Sequence, residues 1–430
     1  MWGWVRGVDW TDARGWVVRA WPEFWPVGTA VVVVVGSLWV GVTPAAGELR
    51  LTAEVLHGVQ ARPAAGVDPR VAAAVDESLA RRAAAVRAGD LEGFLADVTP
   101  RLKPDQTVLF QNLRALGMTV AYQRAERWDR YAPGAVTFRV SMRYVVGGSG
   151  LAEAATDVGY TYSVADGRAV LVDDTGLDQE IGSNRQPWDF GPIEVLRRPA
   201  VVVVVNKGHR ALARHLADEA INSARVIRKI WPGQLQPVPL IVALREPQVL
   251  TDLPSTLPGV ESATVRSMLS PEAGAVQPAG GWVVIRPGVQ NTFGPAQMAH
   301  VLMHLLPVRL GDGAPRWLAE GMAEYAGKQA LVAAGKRREV ARQRVEIARR
   351  SLWDLRRLPP DAEFTAGDTY GISWLAVEQL VAKAGLEKVA EYYRQVARRG
   401  SDEASRERLL TEYTGVTEAQ LVESLRELAN

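Results

Sequence analysis

The sequence predicts an α+β protein: an N-terminal transmembrane helix, an α+β module, and a second unit in which a small sheet leads into a helical lobe. Three observations carry this. Residues 24–47 contain no charged side chain. The apolar period then changes from helical to alternating and back. Finally, an uninterrupted valine strand opens a largely helical C-terminal half. At about 150 residues per domain, 430 residues allow about three units. With 50 Lys+Arg against 48 Asp+Glu and 47% hydrophobic residues, this is the balance of a folded chain. The net charge of +2 makes no case for a polyanionic partner. The absence of cysteine excludes disulfides, thiolate metal sites, cysteine nucleophiles and a cysteine-linked lipid. Any metal must be held by histidine and carboxylate.

The run 24–47, with Val31 to Val35 inside it, exceeds the roughly 20 residues that cross a bilayer as a helix. Seven of the fourteen tryptophans fall in the first 39 residues, as expected of rings at a membrane interface. The reading is a cytoplasmic leader (1–23) and a single-pass anchor (24–47). Its rival is a cleaved signal peptide ending near Pro44-Ala45-Ala46, which would make the protein secreted. Charge does not orient the segment, because Arg6, Arg14 and Arg19 precede it and Arg50, Arg62 and Arg70 follow.

Residues 48–70 read as a tether. Pro69 to Ala88 then forms a helix stopped by Gly89-Asp90, followed by a shorter one from Leu91 to Val98. Thr137 to Tyr144 alternates polar and apolar residues, as do Val158, Tyr160, Tyr162 and Val164 after the Gly147-Gly148-Ser149-Gly150 loop. Asp166-Gly167 turns into Ala169 to Val172. Residues 71–176 thus make an α+β module. Helices before a curved sheet, with the Arg81 to Asp90 helix end, resemble the cone-shaped nuclear-transport-factor-like fold. Residues 177–199, rich in turn formers, read as a linker.

The second unit, 200–430, opens with the apolar strand Ala200 to Val205, whose continuity predicts burial on both faces. Helix His209 to Ile230, strand Val238 to Leu244 and strand Trp282 to Pro287 follow, and the remainder is helical. Here lie His300 and His304, which a helix places on one face, as two ligands of one metal require. Downstream, in Arg316-Trp317-Leu318-Ala319-Glu320-Gly321-Met322-Ala323-Glu324-Tyr325, two glutamates stand one turn apart. Glu320 can supply a third ligand and Glu324 an outer acceptor for a ligating imidazole. Two histidines and a carboxylate leave zinc one open position.

The histidine helix, the Trp-Leu-x-Glu-Gly-x-Ala-Glu-Tyr segment, the strand before the first helix and the Tyr370 to Leu375 helix together resemble the extracellular peptidase-MA-like gluzincin zinc metallopeptidases of actinobacteria. So does the order of membrane segment, cone-like domain and peptidase-like domain. The resemblance implies zinc on His300, His304 and Glu320, support from Glu324, and C-terminal domains outside the cell. In the family pattern H-E-x-x-H a glutamate follows the first histidine as general base, and here that position holds Val301. General acid-base catalysis is worth about 100-fold to 10,000-fold, so a pseudopeptidase is expected, acting as a binding or scaffold module for a peptide or cell-envelope component. Three alternatives stand beside it. A base such as Glu324 or Asp312 can keep the enzyme an active zinc peptidase; the site can be empty; or zinc can be structural, pinning two helices.

Tyr370 is a candidate to polarise a carbonyl, although its setting among Ile372, Trp374 and Leu375 suits a packing residue. The basic stretch Lys336 to Arg357 reads first as a solvated helix face, and second as a surface for acidic polymers or anionic headgroups. His209 and His215, six apart, do not share a helical face. No phosphate-binding glycine loop is present, and nothing indicates nucleic acid.

Overall fold

In the computed structural model, the Asp68 carboxylate accepts the Arg70 amide (2.8 Å) and Gly89 takes a left-handed conformation (φ 75°). These caps bound helix α1, Pro69–Ala88, as the sequence predicts. The structure describes residues 62–64, 66–129, 134–178, 180, 185–231, 238–246, 263–268, 279–306, 313–364, 368–400 and 402–429. The expected membrane segment 24–47 lies outside them. Among the described residues no helix is long and apolar enough to cross a membrane.

After α1 come α2 (Leu91–Leu95) and α3 (Lys103–Ala115). The antiparallel sheet of this module has the order β1 (Arg62–Ala64, before α1), β2 (Thr119–Asp129), β3 (Ala135–Val145), β4 (Ala154–Ala165) and β5 (Arg168–Asp173). Alternation in β3 sends Phe138, Val140, Met142 and Tyr144 inward. Asp166 and Gly167 both have positive φ (51° and 74°), the geometry that closes a two-residue hairpin with the right twist. Helix α1 lies on this sheet. The buried Arg82 guanidinium stands 3.8 Å over the Phe94 ring and bonds to Gln106.

The second sheet is mixed, in the order β6 (Ile193–Arg198), β7 (Val201–Asn206), β8 (Leu240–Ala243), β10 (Gly280–Ile285) and β9 (Ala263–Met268). Strands β7, β8 and β10 are parallel neighbours, and the edge strands run antiparallel. The helices are α4 (Arg210–Ile230), α5 (Pro295–His304), α6 (Arg316–Ala333), α7 (Arg337–Ser351), α8 (Asp368–Ala384), α9 (Leu386–Arg399), α10 (Glu403–Thr414) and α11 (Glu418–Glu427). Parity explains the valine strand. Val201, Val203 and Val205 pack with Ile241, Ala243, Val283 and Ile285 into the core of the helical lobe. Val202 and Val204 pack with Leu240, Val242, Trp282 and Val284 against Phe110, Leu113 and Met118 of the first module. One sheet therefore serves two cores, and residues 61–430 form a single compact unit.

Within the stretch expected to be a linker, 177–199, the structure places Trp188 and β6. The Trp188 ring is buried edge-on against Tyr144 and Trp282, with centroids 4.9 and 6.1 Å away. Buried Asn112 fastens this segment: its amide donates to the Trp188 and Gly191 carbonyls (2.8 and 2.7 Å), and its carbonyl accepts from Ile193 N–H (3.1 Å). Turn-forming composition hides a seam here because the segment's polar backbone is satisfied by a side chain distant in sequence.

Candidate metal centre

Helix α5 begins at Pro295, with the Gln297 side chain accepting the Gly294 amide (2.8 Å). Met298, Ala299, Val301, Leu302 and Met303 are buried in the lobe, which leaves His300 and His304 on the remaining half-buried face. Helix α6 buries Trp317, Leu318, Met322, Ala323 and Ala326, and turns Glu320 and Glu324 toward the histidines. Two glycines allow the close helix approaches that this convergence needs. A Cβ on Gly327 would come within 2.9 Å of the Ala296 carbonyl oxygen on α5, and one on Gly321 within 2.4 Å of the Ser373 carbonyl oxygen on α8.

The donor atoms form a nearly equilateral triangle. His300 Nε2 and His304 Nε2 are 3.2 Å apart, and Glu320 Oε2 lies 3.4 Å from the first and 3.3 Å from the second. Metal–ligand bonds of about 2.0–2.2 Å in a tetrahedron require donor separations of about 3.3–3.6 Å. The donor set therefore fits a four-coordinate metal with one position free. The His300–Glu324 contact completes it: Nδ1–H donates to Glu324 Oε1 (3.0 Å), which fixes the tautomer and frees Nε2 to ligate. The other Glu324 oxygen pairs with Lys328 Nζ (3.0 Å), itself 5.0 Å from the Trp374 ring centroid.

Burial opposes a charge on His300, but the Glu320 and Glu324 carboxylates outweigh it and raise its pKa from 6.5 to about 9. Burial likewise pushes Glu320 and Glu324 up, and the facing imidazoles, with Lys328 beside Glu324, reverse this and hold both well below the usual carboxylate range. The signs set a pH window for the metal-free protein. The His300 contribution is complete below about 6.5 and is lost as pH rises through about 9. The glutamate contributions are complete above about 4.5 and are lost as pH falls. The difference in melting temperature between the metal-free protein and its His300→Gln variant is expected to be largest between pH 4.5 and 6.5 and to shrink toward pH 9. A difference that stays constant to pH 9 contradicts this electrostatic reading.

The structure thus brings His300, His304, Glu320 and Glu324 together. Val301 is 2% exposed, embedded in the lobe core. The Tyr370 ring packs edge-on against Phe364, with centroids 5.0 Å apart. Asp312 lies outside the described residues. Lys328 escaped sequence reasoning, although Glu324 and Lys328 have the favourable i,i+4 spacing that signals such a pair. Tyr393 escaped it too: it stacks edge-on against Trp231 (5.5 Å), and burial, with the Glu320 charge second, raises its phenol pKa. No short motif announces that contact.

No protein-family model and no curated protein sequence matches this chain. Among solved structures, yeast LTA4 hydrolase in complex with bestatin is similar at 14% identity and a TM-score of 0.36, over 52% of this chain. The M1 zinc metallopeptidase from Deinococcus radiodurans is similar at 14% identity and a TM-score of 0.35, over 74% of this chain. The chain spans 36% of the yeast protein's length and 61% of the bacterial protein's.

Proposed function

We propose that this is a membrane-anchored, extracytoplasmic protein whose gluzincin-like domain binds zinc through His300, His304 and Glu320 but does not hydrolyse peptides, serving instead to hold a peptide or cell-envelope segment. The donor triangle with Val301 beside it carries the reading. His300, His304 and Glu320 would hold the zinc, which would act as a Lewis acid toward a fourth ligand. Glu324 is a poor substitute for the missing base. One of its oxygens accepts the His300 Nδ1 proton and the other pairs with Lys328, so it sits behind the imidazole, on the side away from the donor triangle. Membrane attachment is supported by the charge-free run 24–47.

The test compares zinc-loaded and chelator-treated protein in casein and peptide hydrolysis, beside His304→Ala. Equal, background-level turnover in all three is expected. Chelator-sensitive hydrolysis that disappears in His304→Ala would instead establish an active peptidase with another base. Val301→Glu is a useful companion, provided its melting temperature is followed, because it introduces a carboxylate at a buried position.

A further inference from the structure

We infer that the outward face of α7 and the turn after it form a docking surface for an anionic phospholipid bilayer. The observation is a coincidence of two unusual exposures. Among the described residues, the only exposed large hydrophobic side chains are Val345 (48%) and Trp353 (67%), and both lie in this one stretch. The inner face of the helix is committed elsewhere, since Ala348 and Leu352 are buried in the lobe core and Ile347 packs at Gly371 of α8. On the outer face Arg338, Arg342, Val345 and Arg349 follow helical spacing as one exposed stripe, which Trp353 and Arg356 continue beyond the helix end. Between residues 336 and 357 the exposed acids are Glu346 and Asp354, and Glu346 is already paired with Arg350 at 3.4 Å. The chain's overall charge of +2 is nearly balanced, so this face is a local concentration of positive charge.

Charge alone fits any polyanion. The tryptophan discriminates: an indole two-thirds exposed among guanidinium groups gains little beside a soluble acidic polymer. At the headgroup boundary, by contrast, the ring is buried while the arginine stems reach back to phosphate.

The test uses residues 61–430, a separate compact unit that contains all three hydrophobic cores and lacks the apolar run. A result therefore stands apart from the proposed anchor. The unit is mixed with sedimenting vesicles of phosphatidylglycerol and phosphatidylcholine, or of phosphatidylcholine alone, at about 0.1 M and about 0.5 M salt. Binding to the anionic vesicles alone is expected, weakened at the higher salt. At about fivefold per basic residue, the triple variant Arg338→Glu, Arg342→Glu, Arg349→Glu is expected to lose at least about 100-fold. Trp353→Ala is expected to weaken binding several-fold with the melting temperature unchanged. Equal binding to neutral vesicles, or no loss in the triple variant, overturns the inference. So does binding that ignores Trp353→Ala and is competed by soluble polyphosphate, which would make this an acidic-polymer surface.

Discussion

Replacing Glu320 with alanine is expected to reduce the zinc retained by the purified protein from about one ion per chain to almost none, whereas Glu324→Gln should retain it with about 10- to 100-fold weaker affinity. The difference follows from position. Glu320 Oε2 is a corner of the donor triangle, 3.3 and 3.4 Å from the two imidazole nitrogens, and its loss leaves two ligands. Glu324 touches the far side of His300 and only orients it. Elemental mass spectrometry on the parent, Glu320→Ala, His304→Ala and Glu324→Gln reads this directly and reports any other bound metal as well. A metal-free parent, or equal losses in Glu320→Ala and Glu324→Gln, would refute the assignment. Loading must also discharge the His300 proton, so affinity should rise with pH up to about 9.

The second large effect concerns the C-terminal half in isolation. Residues 200–430 read as a separate unit in sequence, yet the shared sheet gives it an apolar face made by Val202, Val204, Leu240, Val242, Trp282 and Val284 that packs against the first module and Trp188. At about 1.5–3 kcal/mol per buried large side chain, losing that cover removes about 10 kcal/mol or more, comparable with the whole stability of an ordinary domain. The fragment is expected to be insoluble, or to bind a hydrophobic dye without a cooperative melt. A soluble fragment with a sharp transition would show that the two cores are separable. In the full chain, Trp282→Ala is expected to cost about 3–5 kcal/mol, read as a lowered denaturation midpoint.

Much of the fold is legible where one local rule dominates. Helix α1 has its cap, proline and glycine; β3 and Val158 to Val164 of β4 alternate, and an Asp-Gly turn leads into β5; β7 has five valines. The elements that escaped share a physical reason, because their patterns are mixed. In α3 the buried face includes Gln106 and Asn112, so the apolar stripe is broken by polar residues satisfied through contacts distant in sequence. In β2 a register shift between Arg124 and Arg127 interrupts the period of two, and the strand is rich in polar residues. Strand β9 lies inside a loop-like composition and is an edge of its sheet. The cluster of His300, His304, Glu320 and Glu324 is legible because each pair is spaced four apart on its helix. What spacing does not reveal is how closely α5, α6 and α8 approach, which rests on Gly321 and Gly327.

The sheet with two owners has a consequence for how the chain is made. Synthesis delivers the first module and β7 before β8 and β10, so the growing chain carries Trp188, Val202 and Val204 before their partners Leu240 and Trp282 have been made. That half-built surface can be completed only when Leu240 and then Trp282 emerge, at a synthesis rate of about 5–20 residues per second. The interval, of several seconds, is when the polypeptide depends most on chaperones, and a translational pause between codons 210 and 280 would lengthen it.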